Sequence, residues 1–454
     1  MANITLEQAA AWCGGTVDPK YAQVAFYGAG NDSRIIERGQ LFVALQGARD
    51  GHDFIPMALQ NGAAAVLCTH CDGDYPAIVV EDTRIALGKI AAAERKRIGM
   101  KVVGVTGSVG KSTTKEMICA VLGTTFRVSK TPANHNNDIG MPMAILSIPE
   151  EAEIAVLEMG MNHFGEISYL TNIACPDVAV ITNIGTMHIE HLGSREGILK
   201  AKLEILEGLA PDGTIVLNGD DDLLWSVRDR ADVPHLYFGT ANDACAVCGS
   251  GINMEDGALS FCVSAENAEF AVTLPLEGEH YVLDALAAVS VGLKLGVCPD
   301  KISAALKDFQ NMAGRQEIFE AKGYTIIKDC YNAGPESMSA ALTVLGRKKG
   351  GRCIAVLGDM LELGMRSPAE HYRIGRIAAE NADIVLAYGP NGSRVVSGAV
   401  TGGMSEAKVR AFEDRKALVT TLKAMAKPGD IVLFKGSHGM HMELALDAFL
   451  SDEA

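Results

Sequence analysis

Lys101-Val-Val-Gly-Val-Thr-Gly-Ser-Val-Gly-Lys-Ser-Thr113 is the stretch on which the fold turns. Lys101 to Thr106 is short and apolar enough for a buried strand, and a helical pattern follows Thr113, so Gly107-Ser108-Val109-Gly110-Lys111-Ser112 occupies a strand-to-helix turn. Such a turn holds phosphate. Its glycines let backbone N–H groups close around phosphate oxygens, Lys111 reaches the terminal phosphates, and Ser112 is placed to hold Mg²⁺ at a helix N-terminus that favours anions. The spacing is shorter than G-x-x-x-x-G-K-[ST], because Val105 stands where the first glycine would be and the nearest upstream glycine is Gly107. The loop therefore runs Thr-Gly-x-x-Gly-Lys-Ser-Thr from Thr106 to Thr113. A Gly-rich turn without a ligand is the competing reading; strand, Gly-Lys-Ser and helix in that order weigh against it.

Around this loop, 454 residues that are 48% apolar suffice for three domains with real cores, at ~100 to 200 residues per domain. A net charge of -16 argues against wrapping nucleic acid, which needs a basic footprint, so any phosphate must be held by a local site. Met1-Ala-Asn-Ile-Thr-Leu-Glu7 lacks the basic start and apolar core of a signal peptide, and no apolar run reaches the ~18 residues of a membrane span. The expectation is a soluble, cytoplasmic monomer without stable membrane insertion. Eleven scattered cysteines fit reduced thiols, and the Cys68/Cys71 and Cys245/Cys248 pairs lack the partner ligands of a zinc site.

The chain reads as α/β with three segments. In 1–99, apolar runs at Leu41 to Leu45, Ala63 to Cys68 and Ala77 to Val80 alternate with helical patterns at Asp53 to Asn61 and Arg84 to Ile98, as in a small α/β unit. In 100–313, the phosphate loop is followed by strands at Ile154 to Leu157, Val178 to Thr182 and Thr214 to Leu217, with helices at Gly165 to Ala174, Ser194 to Ala210 and His280 to Leu295. That alternation calls for a mostly parallel sheet covered on both faces. In 314–454, strands at Tyr324 to Ile327, Cys353 to Leu357, Ile384 to Ala387 and Asp430 to Phe434 alternate with helices in a Rossmann-like unit. Neither large segment has the G-x-G-x-x-G fingerprint of a dinucleotide-dependent dehydrogenase.

Two further residues fall where open α/β sheets bind ligands, at the C-terminal ends of strands: Glu158 after Ile154-Ala-Val-Leu, and His188 at the end of Ile181-Thr-Asn-Ile-Gly-Thr-Met-His188. Singly, each reads as a hydrogen-bonded loop residue. Together, beside the phosphates, they read as ligands of one Mg²⁺, although that ion prefers oxygen.

This set of motifs resembles the Mur ligase family, the ATP-dependent amide-bond-forming enzymes of peptidoglycan synthesis, along nearly the whole chain. Asp32-Ser33-Arg34, Leu41-Phe-Val-Ala-Leu45 and Asp50-Gly-His52-Asp53-Phe54 match the domain that holds the UDP end of the substrate in that family. Thr106 to Thr113 matches its ATP loop, Asn134-His-Asn136-Asn137 a loop facing the substrate, Glu158 and His188 its metal ligands, and Lys202 the lysine it carbamylates. Asp329-Cys-Tyr331-Asn332 and Lys435-Gly-Ser437 match motifs that close on ATP and the incoming amine. The resemblance further implies ATP contacts from His280, Asp284, Arg315, Asp329 and Asn332, and substrate contacts from Ser33, Arg34, the three asparagines, Tyr331, Lys435 and Ser437. Within the family, Tyr331-Asn332-Ala, Ser337-Met338, Gly358-Asp359-Met360 and Glu362-Leu-Gly364 resemble the branch that adds D-alanyl-D-alanine to a UDP-N-acetylmuramoyl-tripeptide. The Asp-Asn-Pro-Arg stretch of the diaminopimelate-adding branch is absent from the sequence. Tyr281 and Asp284 follow Gly278-Glu-His280 where asparagines are usual, and His438 stands where an arginine commonly follows Lys-Gly-Ser.

The resemblance implies that ATP, with Mg²⁺, converts the tripeptide carboxylate into an acyl phosphate that the dipeptide amine then attacks. Lys111, Lys202, His188 and Glu158 are the expected catalytic group, with Ser112, Glu158, His188 and, once carbamylated, Lys202 holding metal. It also implies that without ligands the third domain stands apart, with Lys435 too far from the loop to touch the nucleotide. A ligase adding a single amino acid, a P-loop small-molecule kinase and a non-catalytic nucleotide switch are the competing readings. A kinase needs no third domain with its own Lys-Gly-Ser motif, and a switch needs neither Glu158 with His188 nor Lys202.

Overall fold

The computed structural model describes residues 3–132, 135–230, 234–255 and 257–451. Its central sheet has nine strands among the described residues, built around Lys101–Thr106 with Ile154–Glu158 on one side and Val178–Ile181 on the other. All three pairings at this core are parallel or continue so: Ile154 lies opposite Lys101, Val178 opposite Val103, and Thr214–Asn218 extends the sheet from Val178–Ile181. Parallel strands buried on both faces need continuous apolar runs, and residues 102–106, 154–158 and 178–181 are buried throughout. The far edge differs: Val247–Glu255, Ala258–Ala265 and Ala268–Leu274 form an antiparallel meander in which Leu259, Phe261 and Val263 point inward and Ser260, Cys262 and Ser264 outward.

The N-terminal unit has five strands in its main sheet, ordered Thr16–Val17, Ala77–Val79, Ala65–Cys68, Leu41–Val43 and Ala29–Gly30. The C-terminal unit has six, ordered Glu317–Ala321, Tyr324–Asp329, Ile431–Lys435, Cys353–Gly358, Ile384–Tyr388 and Val409–Phe412, parallel except for the first. The α/β architecture is therefore as the sequence implies, with the meander, the edge strands Glu317–Ala321 and Val409–Phe412, and several two-residue strands added.

The apolar cores show how these units are joined. Helix Thr83–Ile98 ends at Gly99 in a left-handed conformation (φ 72°), yet one core crosses that point, from Ile4, Leu41 and Leu87 through Met141 and Leu157 to Ile181 and Leu217. A second core, from Val103 through Leu286 to Phe309, covers the other face of the central sheet. The cores of the third unit contain only its own residues, from Ile326 to Phe449. The first two units are thus fused by burial, whereas the third is attached through the segment 308–316 and polar contacts. Among the described residues no helix is long and apolar enough to cross a membrane.

Candidate active site

The phosphate loop is shaped by its neighbours. A Cβ on Gly107 would lie 1.8 Å from Thr182 Oγ1, and one on Gly110 would lie 2.4 Å from Asp284 Oδ1; both glycines have left-handed φ, 152° and 84°, so side chains are excluded twice over. Asn183 clamps the turn: its Oδ1 accepts from Val109 N at 3.0 Å and its Nδ2 donates to Val109 O at 3.0 Å. Lys111 folds over the loop and donates to Gly107 O (2.9 Å) and Ser108 O (3.2 Å). Burial lowers its pKa, against the pull of Glu158. An arriving phosphate would give this cation a better partner than two neutral carbonyls.

Glu158 is the hub. Its Oε2 accepts from Ser112 Oγ at 2.8 Å, its Oε1 from Asn136 Nδ2 at 2.9 Å, and its N–H donates to Thr131 Oγ1 at 3.0 Å. Behind it stands Lys115, which is fully buried, donates to Thr131 O at 3.0 Å and lies 3.9 Å from Glu158 Oε2. Ser112 Oγ also accepts from Arg315 Nη2 at 2.8 Å, and the guanidinium of Arg315 covers the Tyr331 ring at 4.1 Å. His188 sits at φ 62° with its Nδ1 2.6 Å from Glu362 Oε2, itself at φ 63°. That nitrogen is buried without an aligned hydrogen bond. Left-handed backbone at two non-glycine residues that face each other is the kind of strain that gathers at working sites.

Across the cavity, Lys435 is buried and donates to Asp329 Oδ2 (2.6 Å) and Asn332 O (3.1 Å). Lys435, Asp329, Tyr331 and Asn332 line one cavity of about 1030 Å³ together with Ser108 to Thr113, Asn136, Asn137, Glu158, His188, His280, Asp284 and Arg315. Burial depresses His280 to about 4, keeping its ring neutral, and pushes the Asp284 carboxyl up to about 7; Asp284 Oδ1 accepts from Thr114 Oγ1 at 2.9 Å. The expectation that the third unit stands apart is corrected: it is docked, with Thr186 N and Oγ1 each donating to Glu336 Oε1 at 3.0 Å, and Lys435 lines the same cavity as the loop.

Other residues singled out in the sequence lie elsewhere. Ser33 is buried against Met57, and Arg34 is exposed and paired with Asp32 at 2.6 Å, both away from the cavity in the N-terminal unit. Ser437 is buried between Leu361 N and Ala333 O, and clips two loops rather than lining the cavity. Lys202 is buried behind the lining, where desolvation and the charge of Lys111 hold its pKa well below normal. Asn134 lies outside the described residues. Sequence reasoning missed Asn183, Lys115, Thr131 and Glu336, and took Glu362 as a mark of the branch, not as the partner of His188. Only Asn183 carried a signal, as a polar residue straight after a buried strand.

The donors present suit Mg²⁺: Glu158 and Ser112 offer hard oxygens beside the loop, and His188, paired with Glu362, lines the same cavity. Among the described residues no three His, Cys, Asp or Glu side chains converge, so phosphate oxygens or a modified lysine must complete any such site.

A phosphate loop, a carboxylate hub and a lysine brought by a separate Rossmann-like unit define an ATP-using ligase of three α/β units. Residues 25–103, 105–292 and 314–438 match the models of the Mur ligase family catalytic domain, the Mur ligase middle domain and the Mur ligase glutamate ligase domain. The chain belongs to the Mur ligase family. It is 41% identical over 438 residues to the UDP-N-acetylmuramoyl-tripeptide--D-alanyl-D-alanine ligase of Bacillus subtilis, covering 95% of this chain and 94% of that one. Among solved structures it is similar to the UDP-N-acetylmuramoylalanyl-D-glutamyl-2,6-diaminopimelate--D-alanyl-D-alanyl ligase of Acinetobacter baumannii (TM-score 0.88, 33% identity, 99% and 98% of the chains covered). It is also similar to a MurF ligase from Thermotoga maritima in complex with ADP (TM-score 0.81, 32% identity, 93% and 97% covered).

Proposed function

We propose that this chain joins D-alanyl-D-alanine to a UDP-N-acetylmuramoyl-tripeptide at the cost of ATP, as a cytoplasmic monomer of peptidoglycan synthesis. The observation that carries the reading is the single cavity lined by the loop and Glu158 from the central unit and by Lys435, Asp329 and Asn332 from the third. Residues 1–99 would hold the UDP end, 100–313 the ATP, and 314–454 the incoming amine.

A carboxylate is a poor acyl donor, so the γ-phosphoryl group must first pass to it, with ADP leaving; the dipeptide amine then forms the amide bond and phosphate leaves. Lys111 turns from the Gly107 and Ser108 carbonyls to the β- and γ-phosphates and stabilises the charge that builds there. Glu158, Ser112 and His188 would hold Mg²⁺, which when bound would supply positive charge against the negative charge of the phosphates. Lys202 is suited to carbamylation because only a neutral amine attacks carbon dioxide, and desolvation, with the charge of Lys111, favours its neutral form. The carbamate would offer anionic oxygens, the hard donors that Mg²⁺ takes. Lys435 and Asp329 would stand at the acceptor end, where their paired charges are suited to orient the amine.

Phosphate release from ATP and the UDP-muramoyl-tripeptide should require D-alanyl-D-alanine, with single amino acids far poorer as acceptors. Equal release with alanine would favour a single-residue ligase. A stable phosphorylated product would favour a kinase.

A further inference from the structure

In the reaction proposed above, the activated carboxyl belongs to the last residue of the tripeptide, so the side chain of that residue must lie beside the loop and Glu158. The wall there has a defined chemistry. Arg84, in the first turn of helix Thr83–Ile98, and Asp138, from the central unit, meet with Nη1–Oδ2 at 2.9 Å, and their side chains are 49% and 35% exposed. Both line the main cavity. Asp138 is two residues beyond Asn136, whose amide touches Glu158, and two residues span at most about 7 Å. Ile85, the chain neighbour of Arg84, and Phe164 line the same cavity although they are large, apolar and half exposed. Glu166 also lines this wall, but its carboxylate accepts from Asn162 N (2.6 Å) and His163 N (3.2 Å). Lys200 adds a cation over the Phe164 ring, at 5.7 Å.

We propose that Arg84 and Asp138 read the side chain of the tripeptide's third residue, and select one that ends in both a carboxylate and an ammonium, as diaminopimelate does. Its methylenes would cover Ile85 and Phe164. Its carboxylate would take the guanidinium fork, and its ammonium the Asp138 carboxylate. The existing ion pair is solvent-exposed and holds little energy, so exchanging it for two new pairs is cheap. A lysine side chain would satisfy Asp138 but leave the Arg84 guanidinium facing an ammonium with no carboxylate between them, and that uncompensated repulsion is what discriminates.

The test compares kcat/KM for UDP-muramoyl-tripeptides ending in diaminopimelate and in lysine, with D-alanyl-D-alanine saturating. The wild type should prefer the first by at least tenfold. Arg84→Leu should lower kcat/KM on it at least tenfold through KM and raise it on the lysine substrate, collapsing the preference. Arg84→Lys, which keeps the charge without the fork, should fall between, and supplies the answer if Arg84→Leu does not fold. A wild type indifferent to the third residue, or variants that slow both substrates equally, would overturn the subsite while leaving the ligase reading intact. Turnover of neither tripeptide by the wild type would remove the ligase reading and the subsite with it.

Discussion

Lys202 and Asp284 are buried ionisable residues whose normal charge is costly, and each answers that cost differently. Burial and the charge of Lys111 push Lys202 toward its neutral form, the form that carbamylation to an anion requires. Lys202→Ala should then cost at least about a hundredfold in kcat, the scale on which one preorganised charged group acts, and depletion of carbon dioxide should slow the wild type. Activity insensitive to both treatments would leave Lys202 a packing residue. Asp284 avoids its charge by protonation: its carboxyl is pushed up to about 7 chiefly by burial, against about 3.9 when unfolded. Between those values the folded chain holds the extra proton, so stability falls as pH rises from ~4 to ~7, and the cost persists above that range. Asp284→Asn should therefore stabilise little near pH 4 and by a few kcal/mol near pH 8, at about 1.4 kcal/mol per pKa unit. Urea unfolding at both pH values measures it, and a pH-independent difference would mean that the carboxylate is solvated. The sequence singled out both positions, and the resemblance implied carbamylation of Lys202, but the burial that perturbs both was not legible, because desolvation depends on what folds over them from distant segments.

At the scale of elements, the strand Lys101–Thr106, its loop and the helix Lys111–Gly123 form one device, and Lys115 shows how the helix stiffens it. The amine is fully buried between Thr131 O, Glu116 Oε1 at 3.3 Å and Glu158 Oε2 at 3.9 Å. Lys115→Met should destabilise by about 3–5 kcal/mol, the cost of leaving a buried carboxylate without its cation, and should weaken Mn²⁺ binding measured directly. Adding Glu158→Gln should recover part of that stability, because the amide needs no cation; a purely additive double variant would uncouple the two residues. The strand-loop-helix device was legible because continuous apolar runs bounded by glycine have few other readings, as in Ile154–Glu158 and Val178–Ile181. The meander was not. Val-Cys-Gly-Ser-Gly-Ile-Asn-Met-Glu, residues 247–255, alternates too weakly to announce a strand, and its place depends on pairing with Ala258–Ala265. Lys115 was equally silent, since a lysine in a helix reads as solvated until Thr131 and Glu158 are brought against it.

For the whole molecule, the distribution of apolar burial decides which parts move. The N-terminal and central units share one core and should move as a body, whereas the third unit has cores of its own. It is held by charges and hydrogen bonds: Arg347 to Glu279 at 2.7 Å, Lys348 to Glu277 at 2.5 Å, Glu362 to His188, and Glu336 to Thr186. The sequence located the segment near Gly314-Arg315 where that unit begins but not these contacts, which join side chains far apart in the chain. Exposed ion pairs are screened over about 8 Å at physiological salt and over about 3 Å at 1 M, so the exposed Arg347–Glu279 pair weakens first, the half-buried pairs less, and the docked arrangement should loosen as salt rises. Small-angle scattering of the free protein should show a larger radius of gyration at high salt than at low salt. With an ATP analogue and the UDP-tripeptide bound, contacts to ligands in the shared cavity replace the screened pairs, and the radius should become independent of salt. A free protein that keeps one radius at every ionic strength would mean that the third unit is fixed to the other two, and that the site does not open by moving it.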